Sequence, residues 1–206
     1  LRDGIRIASD ITLIATVVQA GLIDGFLIPA LDGNWYVTWQ LSLMNAQAFA
    51  LNTLVATLLF KTAARARPAY ADCAVDRNAD PLCDRGSFAS FPSSHTSTAF
   101  TAAGLTCVHH KFLPLYGGEP WDSAACAASL GVAAATGLFR LVGDRHYLSD
   151  VALGAAFGFS LGYLYPYLFH YQYGEAESPV SKPTAAWGFV PGAQQTPYGA
   201  SMMGMF

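Results

Sequence analysis

The chain has 206 residues, enough for one domain with its own hydrophobic core. Apolar residues make up 53% of it and charged residues 12%, against about 25% charged residues in an average soluble domain. This composition favours a membrane protein or an unusually apolar helical core. A net charge of -3 excludes the basic surface that is typical of nucleic-acid-binding proteins.

Five apolar stretches predict an all-α bundle of about five long helices. They cover about residues 5–31, 35–64, 95–110, 121–142 and 147–173. A membrane-spanning helix needs about 20 mostly apolar residues. All but the third stretch reach that length, and the third suits a helix enclosed by the others. Hydropathy therefore favours transmembrane helices over the alternative, a soluble bundle with alanine-rich contacts.

Composition divides the chain into a helical domain, residues 1–173, and a C-terminal tail rich in Pro and Gly, residues 174–206. The tail lacks a helical period, which predicts an extended arm or linker that is disordered by default; docking on a partner protein through its aromatic and Met residues is the alternative. A polar loop of about residues 67–91 joins the second and third helices. A loop of this length inside a compact domain is usually functional.

The four cysteines lack the C-x-x-C spacing of zinc sites. Cys73 and Cys83 share the polar loop and are predicted to form a disulfide, which would require an oxidising compartment; two free thiols are the alternative. Cys107 and Cys126 are expected to be buried free thiols, with a bridge as the alternative. The adjacent pair His109–His110, at the far end of the third helix, is expected to be interfacial.

The first of three clusters with candidate chemistry is KTAARARP, where the second helix ends. Pro68 disfavours helix at Arg67, so the helix is expected to stop there and present Lys61, Arg65 and Arg67. Taken alone, this is an ordinary basic helix C-terminus that complements the helix dipole.

The second cluster is SFPSSH, which predicts a helix beginning near His95. Ser93 is a preferred N-cap residue. The free backbone N–H groups at a helix start bind anions, so a histidine on the first turn can touch a bound phosphate. Taken alone, the cluster is a capped helix.

The third cluster is RLVGDRHYLSD. His146 and Asp150 are four residues apart and are expected to share one helix face, with Arg140 six residues before His146. A carboxylate there can bind one ring nitrogen and leave the other free for nucleophilic attack. A lone His–Asp pair is more often a polar contact than a catalytic one.

In this order, the clusters resemble the type 2 phosphatidic acid phosphatase and vanadium haloperoxidase superfamily, whose signature is K-x6-R-P, then P-S-G-H, then S-R-x5-H-x3-D. The matching positions are Arg67, Ser93, His95, Arg140, His146 and Asp150. Three positions depart from the signature. Phe60 stands at the lysine position, with Lys61 one residue later; Ser94 replaces the glycine, and Phe139 replaces the serine.

The resemblance implies an all-helical phosphatase that uses no metal or other cofactor. It implies that His146 attacks phosphorus and forms a phosphohistidine. Asp150 would orient the ring of His146 and stabilise its charge. His95 would protonate the leaving oxygen and then activate the hydrolytic water.

The resemblance also implies a set of phosphate-binding residues. Arg67 and Arg140 would hold the equatorial oxygens, where positioning and charge stabilisation supply most of the catalysis. Ser93, Ser94 and the local backbone N–H groups would complete the cradle. Lys61 would join them only if the end of its helix is distorted, because one residue turns a helical side chain by about 100°.

The resulting hypothesis is a membrane phosphatase that hydrolyses a phosphate monoester or pyrophosphate of a lipid. The alternative is a non-catalytic relative that serves as a structural subunit of a membrane assembly, as the displaced Lys61 and the long tail suggest. A phosphotransferase or a vanadium haloperoxidase fits less well.

The three clusters are expected on one side of the membrane. Their basic residues would make that side cytoplasmic by the positive-inside rule. Several of these arginines, however, are accounted for as phosphate ligands. The resemblance and the loop disulfide favour the periplasmic or extracytoplasmic side instead.

Overall fold

The computed structural model describes residues 2–76, 83 and 88–172, and within them it is all-helical, as predicted. The tail and the centre of the polar loop lie outside these residues, so the division at residue 173 stays a prediction. The helices are α1 Arg2–Leu31, α2 Trp35–Ala63, α3 Tyr70–Val75, α4 Ser94–Phe112, α5 Trp121–Val142 and α6 Leu148–Tyr171. α1 contains a π-helical segment, Val18–Leu27, and α6 contains two more, Ser160–Leu164 and Tyr167–Tyr171.

Four helices, α1, α2, α5 and α6, are long and apolar enough to cross a membrane. They are the four stretches for which the sequence predicts spanning length. The shorter α4 packs against all four, and most of its side chains are buried. The prediction that the third stretch is an enclosed helix is therefore confirmed.

Polar side chains of the first two spans mostly face the bundle. Asp24, Gln40, Asn45 and Asn52 are all buried. Asp10 is an exception, because 54% of its side chain is exposed. This carboxylate lies near the end of the bundle that holds the three sequence clusters.

Local chemistry sets two helix ends that matter for the site. The side-chain oxygen of Ser93 accepts a hydrogen bond from Thr96 N and caps α4. α2 ends at Ala63, four residues before the predicted stop, because Ala64 adopts a left-handed conformation with φ 41°. Arg65 and Arg67 consequently lie on a non-helical segment, so the helical repeat does not set the direction of their side chains.

His109 and His110 are buried, so the prediction that they are interfacial is wrong. The ring of His109 lies between the Tyr171 hydroxyl, at 2.8 Å, and the Asn45 side-chain oxygen, at 2.9 Å. His110 Nδ1 lies 2.5 Å from a carboxylate oxygen of Asp122. The helices supply polar partners at this depth, and a buried imidazole requires such partners.

Both cysteine pairs are bridged. Cys73 joins Cys83, ten residues away, in the polar loop. Cys107 joins Cys126, which corrects the expectation of buried free thiols. α4 and α5 pack so closely that the two Cα atoms are 4.5 Å apart, within bridging distance.

Glycines allow α6 to lie directly on the backbone of α4. A Cβ atom built on Gly158 would be 2.1 Å from the Ser97 carbonyl oxygen, and one on Gly162 would be 2.1 Å from the Thr101 carbonyl oxygen. Such small-residue contacts let helices approach closely. The close approach fixes the start of α6 against the start of α4, where the candidate site lies.

We expect Gly158→Ala to destabilise the protein by about 2–4 kcal/mol, because the added methyl group meets backbone that cannot move aside without separating the helices. The matched control is Gly131→Ala on α5, where a Cβ atom would have nothing within 4 Å. Thermal melting in detergent measures both. The control should equal or exceed the wild-type melting temperature; equal effects of the two substitutions would contradict this packing.

Candidate active site

The residues of the three clusters meet at one end of the bundle. The end of α2, the starts of α4 and α6, and the end of α5 all lie there. His146 is in the turn between α5 and α6, two residues before α6 begins. The spacing predicted that His146 shares a helix face with Asp150, and this prediction is wrong. Tyr147 is the N-cap residue of α6, so the helix begins after His146.

A backbone carbonyl fixes the protonation pattern of His146. Its Nδ1 lies 2.6 Å from the Ser90 carbonyl oxygen, and the residue is buried. A carbonyl oxygen only accepts, so Nδ1 carries the hydrogen. In the neutral ring the lone pair of Nε2 is then available for attack on an electrophile.

The environment of His146 keeps the ring neutral. Burial is the largest cause and, together with the cations Arg140 and Arg67 and with His95, lowers the pKa of His146 to about 3; the Ser90 carbonyl opposes this shift. Arg140, Arg67 and His95 influence the pKa of His146 because all three lie near it at the same end of the bundle. The neutral ring, the nucleophilic form, is thus present throughout the physiological pH range.

The lowered pKa of His146 predicts a pH dependence of stability. In the unfolded chain this histidine binds a proton below about pH 6.5, whereas in the folded chain it stays neutral down to about pH 3, so acid favours unfolding. Its contribution to the free energy of unfolding is complete above pH 6.5 and falls as the pH drops toward 3. Between about pH 7 and pH 5, wild type should lose more melting temperature than His146→Gln, which does not titrate. Equal losses would contradict the shift.

Asp150 supports the site through neighbours rather than by touching the ring. It is fully buried. One carboxylate oxygen accepts from Arg65 at 2.6 Å, and the other accepts from the Ser90 hydroxyl at 2.6 Å and the Tyr147 N–H at 2.9 Å. The expected direct contact with His146 is replaced by one through Ser90, whose own carbonyl holds the ring.

The displaced lysine remains outside this arrangement. α2 continues as a regular helix through Lys61, whose side chain is exposed. Arg65 turns inward, bonds to Ser149 and Asp150, and stacks over the Tyr147 ring at 4.2 Å. Its charge thus neutralises the buried carboxylate.

The two matching arginines lie beside His146. Arg67 donates to the Ala89 carbonyl oxygen at 3.3 Å. Arg140 is buried near the end of α5, and its Nη1 lies 3.4 Å from an oxygen of Asp10. The Nε–H of Arg140 is buried and has no acceptor among the described residues. A buried cation with an unused donor is suited to an anionic ligand.

The start of α4 supplies the third side of the site. The N–H of Ser93 donates to the Asp150 carbonyl oxygen, and its hydroxyl caps the helix, so its observed contacts build the fold. Ser94 and His95 are the first two helical residues, whose N–H groups have no acceptor within a helix. His95 Nε2 lies 3.0 Å from Asp10.

Ser90 and Asp10 are parts of this site that the sequence patterns do not indicate. Ser90 stands between Ala89 and Phe91, with no signal that separates it from the other serines of this segment. Asp10 does carry a signal, because an acidic residue in a span is usually paired or functional, but the sequence does not name its partner.

Comparison with known proteins gives the family. A model of the PAP2 superfamily matches residues 40–173, which include all three clusters. The chain belongs to the PAP2 superfamily. This confirms the resemblance, and with the four apolar spans it supports the assignment as an integral membrane protein.

Two curated relatives match part of the chain. The lipid A 1-phosphatase of Porphyromonas gingivalis is 45% identical over 76 residues, which are 36% of this chain and 15% of the relative. The probable diacylglycerol pyrophosphate phosphatase 1 of Schizosaccharomyces pombe is 34% identical over 92 residues, 41% of this chain and 33% of the relative. The matches thus span a third or less of each relative's length. No solved structure gives a significant match.

Proposed function

We propose that the chain is a membrane phosphatase that hydrolyses a phosphate monoester or pyrophosphate of a lipid through a phosphohistidine. The observation that carries the proposal is the fixed ring of His146. Its Nδ1–H is bound to the Ser90 carbonyl, and its neutral form leaves Nε2 free for attack. Arg67, Arg140 and His95 interact electrostatically with His146. The two arginines are therefore placed to stabilise the negative charge of a phosphoryl group that His146 attacks.

In the first step, Nε2 of His146 forms a bond to phosphorus and the bond to the leaving oxygen breaks. Burial and Arg140 lower the pKa of His95 to about 4, and the negative charge of a bound phosphoryl group opposes this shift and favours the protonated ring. The protonated His95 gives its proton to the leaving oxygen, which departs as an alcohol or a phosphate. Arg67 and Arg140 neutralise the charge on the equatorial oxygens. The Ser90 carbonyl then stabilises the positive charge that develops on the imidazole.

In the second step, water attacks the phosphohistidine. His95, now neutral, takes a proton from the water, and the bond between phosphorus and Nε2 breaks. Phosphate leaves with the oxygen of that water, and His146 returns to its neutral form. Both steps use the same in-line geometry on one phosphoryl group.

The lipid character of the substrate is supported by two observations. Both curated relatives are named for activity on lipids that carry phosphate or pyrophosphate. The site also lies at the end of a bundle with four spanning helices, the depth at which headgroups lie. The head group and the acyl chains are left for a substrate panel to identify.

Phosphate release from a panel of lipid monophosphates and pyrophosphates, with purified protein in detergent, tests the proposal. Turnover should survive a chelator, because the proposed steps use side chains alone, and vanadate should inhibit by imitating the five-coordinate phosphoryl group. An acid-labile phosphoenzyme should be trapped during turnover. No release from any member of the panel would contradict the proposal.

A second candidate is a non-catalytic relative that serves as a structural subunit of a membrane assembly. The exposed position of Lys61 favours it, because one phosphate clamp of the family signature then lies outside the cradle. Lys61→Ala separates the two. A loss of at least about tenfold in kcat/KM would make Lys61 a clamp. If Lys61→Ala leaves turnover unchanged, the arginines are sufficient to bind the phosphate. If the wild type shows no turnover, the structural-subunit hypothesis is favoured.

We also propose that the active-site end faces the periplasm or another extracytoplasmic compartment. The Cys73–Cys83 bridge lies in the loop at that end. Stable disulfides form mainly in oxidising compartments. A C-terminal docking arm for a partner protein stays a prediction, since it lies outside the described residues.

The loop bridge predicts a measurable contribution to stability. Replacing both Cys73 and Cys83 by Ser should cost about 2–3 kcal/mol, because the bridge restricts the unfolded chain. Thermal melting with and without reductant measures this. Thiol labelling of the denatured, unreduced wild type should find no free cysteine among the four; labelling of Cys73 or Cys83 would contradict both the bridge and the compartment.

A further inference from the structure

Asp10 lies where the exposed apolar surface of α1 meets the candidate phosphate site. Its nearest exposed neighbours on the same helix are Ile7, Ile11 and Ile14. A carboxylate in such a stripe is costly in a membrane unless it is paired. One oxygen of Asp10 lies 3.0 Å from His95 Nε2 and 3.4 Å from Arg140 Nη1.

The segment around Asp10 is held firmly against α5. Arg6 Nε donates to the Gly143 carbonyl oxygen at 3.2 Å, and the Ser9 hydroxyl donates to the Thr136 carbonyl oxygen at 3.4 Å. Thr136 in turn donates to the hydroxyl of Thr12 at 2.8 Å. Anchors on both sides of Asp10 therefore keep its carboxylate at His95 and Arg140.

We propose that Asp10 is a carboxylate gate, which an incoming phosphoryl group must displace from His95 and Arg140 and which thereby lowers the affinity of the site for phosphate. This inference rests on the proposed phosphate site. Asp10 lies outside the residues that match the family model, so the three clusters give it no role. Its oxygen bridges the proposed proton donor and the proposed clamp, which is where a phosphoryl oxygen would lie.

Such a gate lowers the affinity of every phosphoryl ligand by the same displacement cost. Inorganic phosphate binds through the phosphoryl contacts alone, so this cost leaves it weakly bound. A lipid phosphate gains further binding energy from its hydrocarbon chain, which the exposed isoleucines beside Asp10 are suited to contact. The gate therefore keeps free phosphate, including the product, weakly bound, and the hydrocarbon contacts supply the remaining affinity for a lipid substrate.

Calorimetric titration of the purified protein in detergent with inorganic phosphate tests this. Asp10→Asn removes the competing charge and should bind phosphate about tenfold more tightly than wild type. Asp10→Glu keeps the charge and should bind within about threefold of wild type. The control is Asp3→Asn on the same helix, an acidic residue that pairs with Arg6 and not with the site, and it should change affinity less than about twofold.

Equal or weaker phosphate binding by Asp10→Asn overturns the gate, as does an absence of binding in every variant. The outcome is separable from the proposed hydrolysis. Tighter binding by Asp10→Asn in a protein that releases no phosphate from lipids would support the gate and refute the activity. Lipid hydrolysis with phosphate affinity unchanged by Asp10→Asn would refute the gate alone.

Discussion

Replacing His146 by Ala should abolish turnover, with kcat reduced at least about a thousandfold, and should remove the acid-labile phosphoenzyme. The reason is chemical: the neutral Nε2, which faces both arginines while the Ser90 carbonyl holds the other ring nitrogen, is lost with the ring. Phosphate release and trapping of the phosphoenzyme measure the two effects.

The control for His146→Ala is anion binding by the same variant. Arg67 and Arg140 remain, so inorganic phosphate should still bind within about tenfold of wild type while turnover is lost. Unchanged hydrolysis in His146→Ala would rule out a phosphohistidine at this residue. Loss of both binding and melting transition would point to a folding defect, and His146→Gln, which keeps a polar side chain of similar size, would then replace it in the test.

Asp150→Asn should have the next largest effect, on stability and rate together. The carboxylate accepts from Arg65, Ser90 and Tyr147 at once, and it is fully buried. An amide turns one oxygen acceptor into a donor, so a buried N–H or O–H group is left facing another donor. We expect a loss of about 3 kcal/mol in the free energy of unfolding.

The rate of Asp150→Asn should fall about a hundredfold, because Ser90 loses the bond that holds its carbonyl against His146. Ser90→Ala is the matched control for this route. It removes the hydroxyl bond to Asp150 but keeps the backbone carbonyl, so it should show a smaller loss of the same kind. In the double variant the two losses should be far from additive. Full additivity, or a full rate in Asp150→Asn, would contradict the connection through Ser90.

The number and order of the spans follow from the sequence because hydropathy and helix length are local quantities. The same holds for the enclosed α4, because its apolar stretch is too short to span a membrane and therefore predicts a helix inside the bundle. The family signature is also local, since its residues stand at fixed spacings around His95 and His146. These features needed no knowledge of which helices touch.

Partners across the bundle are another matter. Helical spacing placed Asp150 beside His146, but the start of α6 at Leu148 separates them. The actual partner of the His146 ring is the Ser90 carbonyl, 56 positions away along the chain. Every residue has a carbonyl, so no pattern in the sequence distinguishes this one.

The sequence by itself determined an all-helical membrane domain, its four spans and the residues of the family signature, because each is encoded in short-range composition or spacing. The tertiary structure alone decided the Cys107–Cys126 bridge, the burial of His109 and His110, and the pairing of Arg65 with Asp150. It also brought Asp10 to Arg140, 130 residues along the chain. Each of these depends on which faces of the helices meet, and close approach over glycines such as Gly158 sets that geometry between α4 and α6.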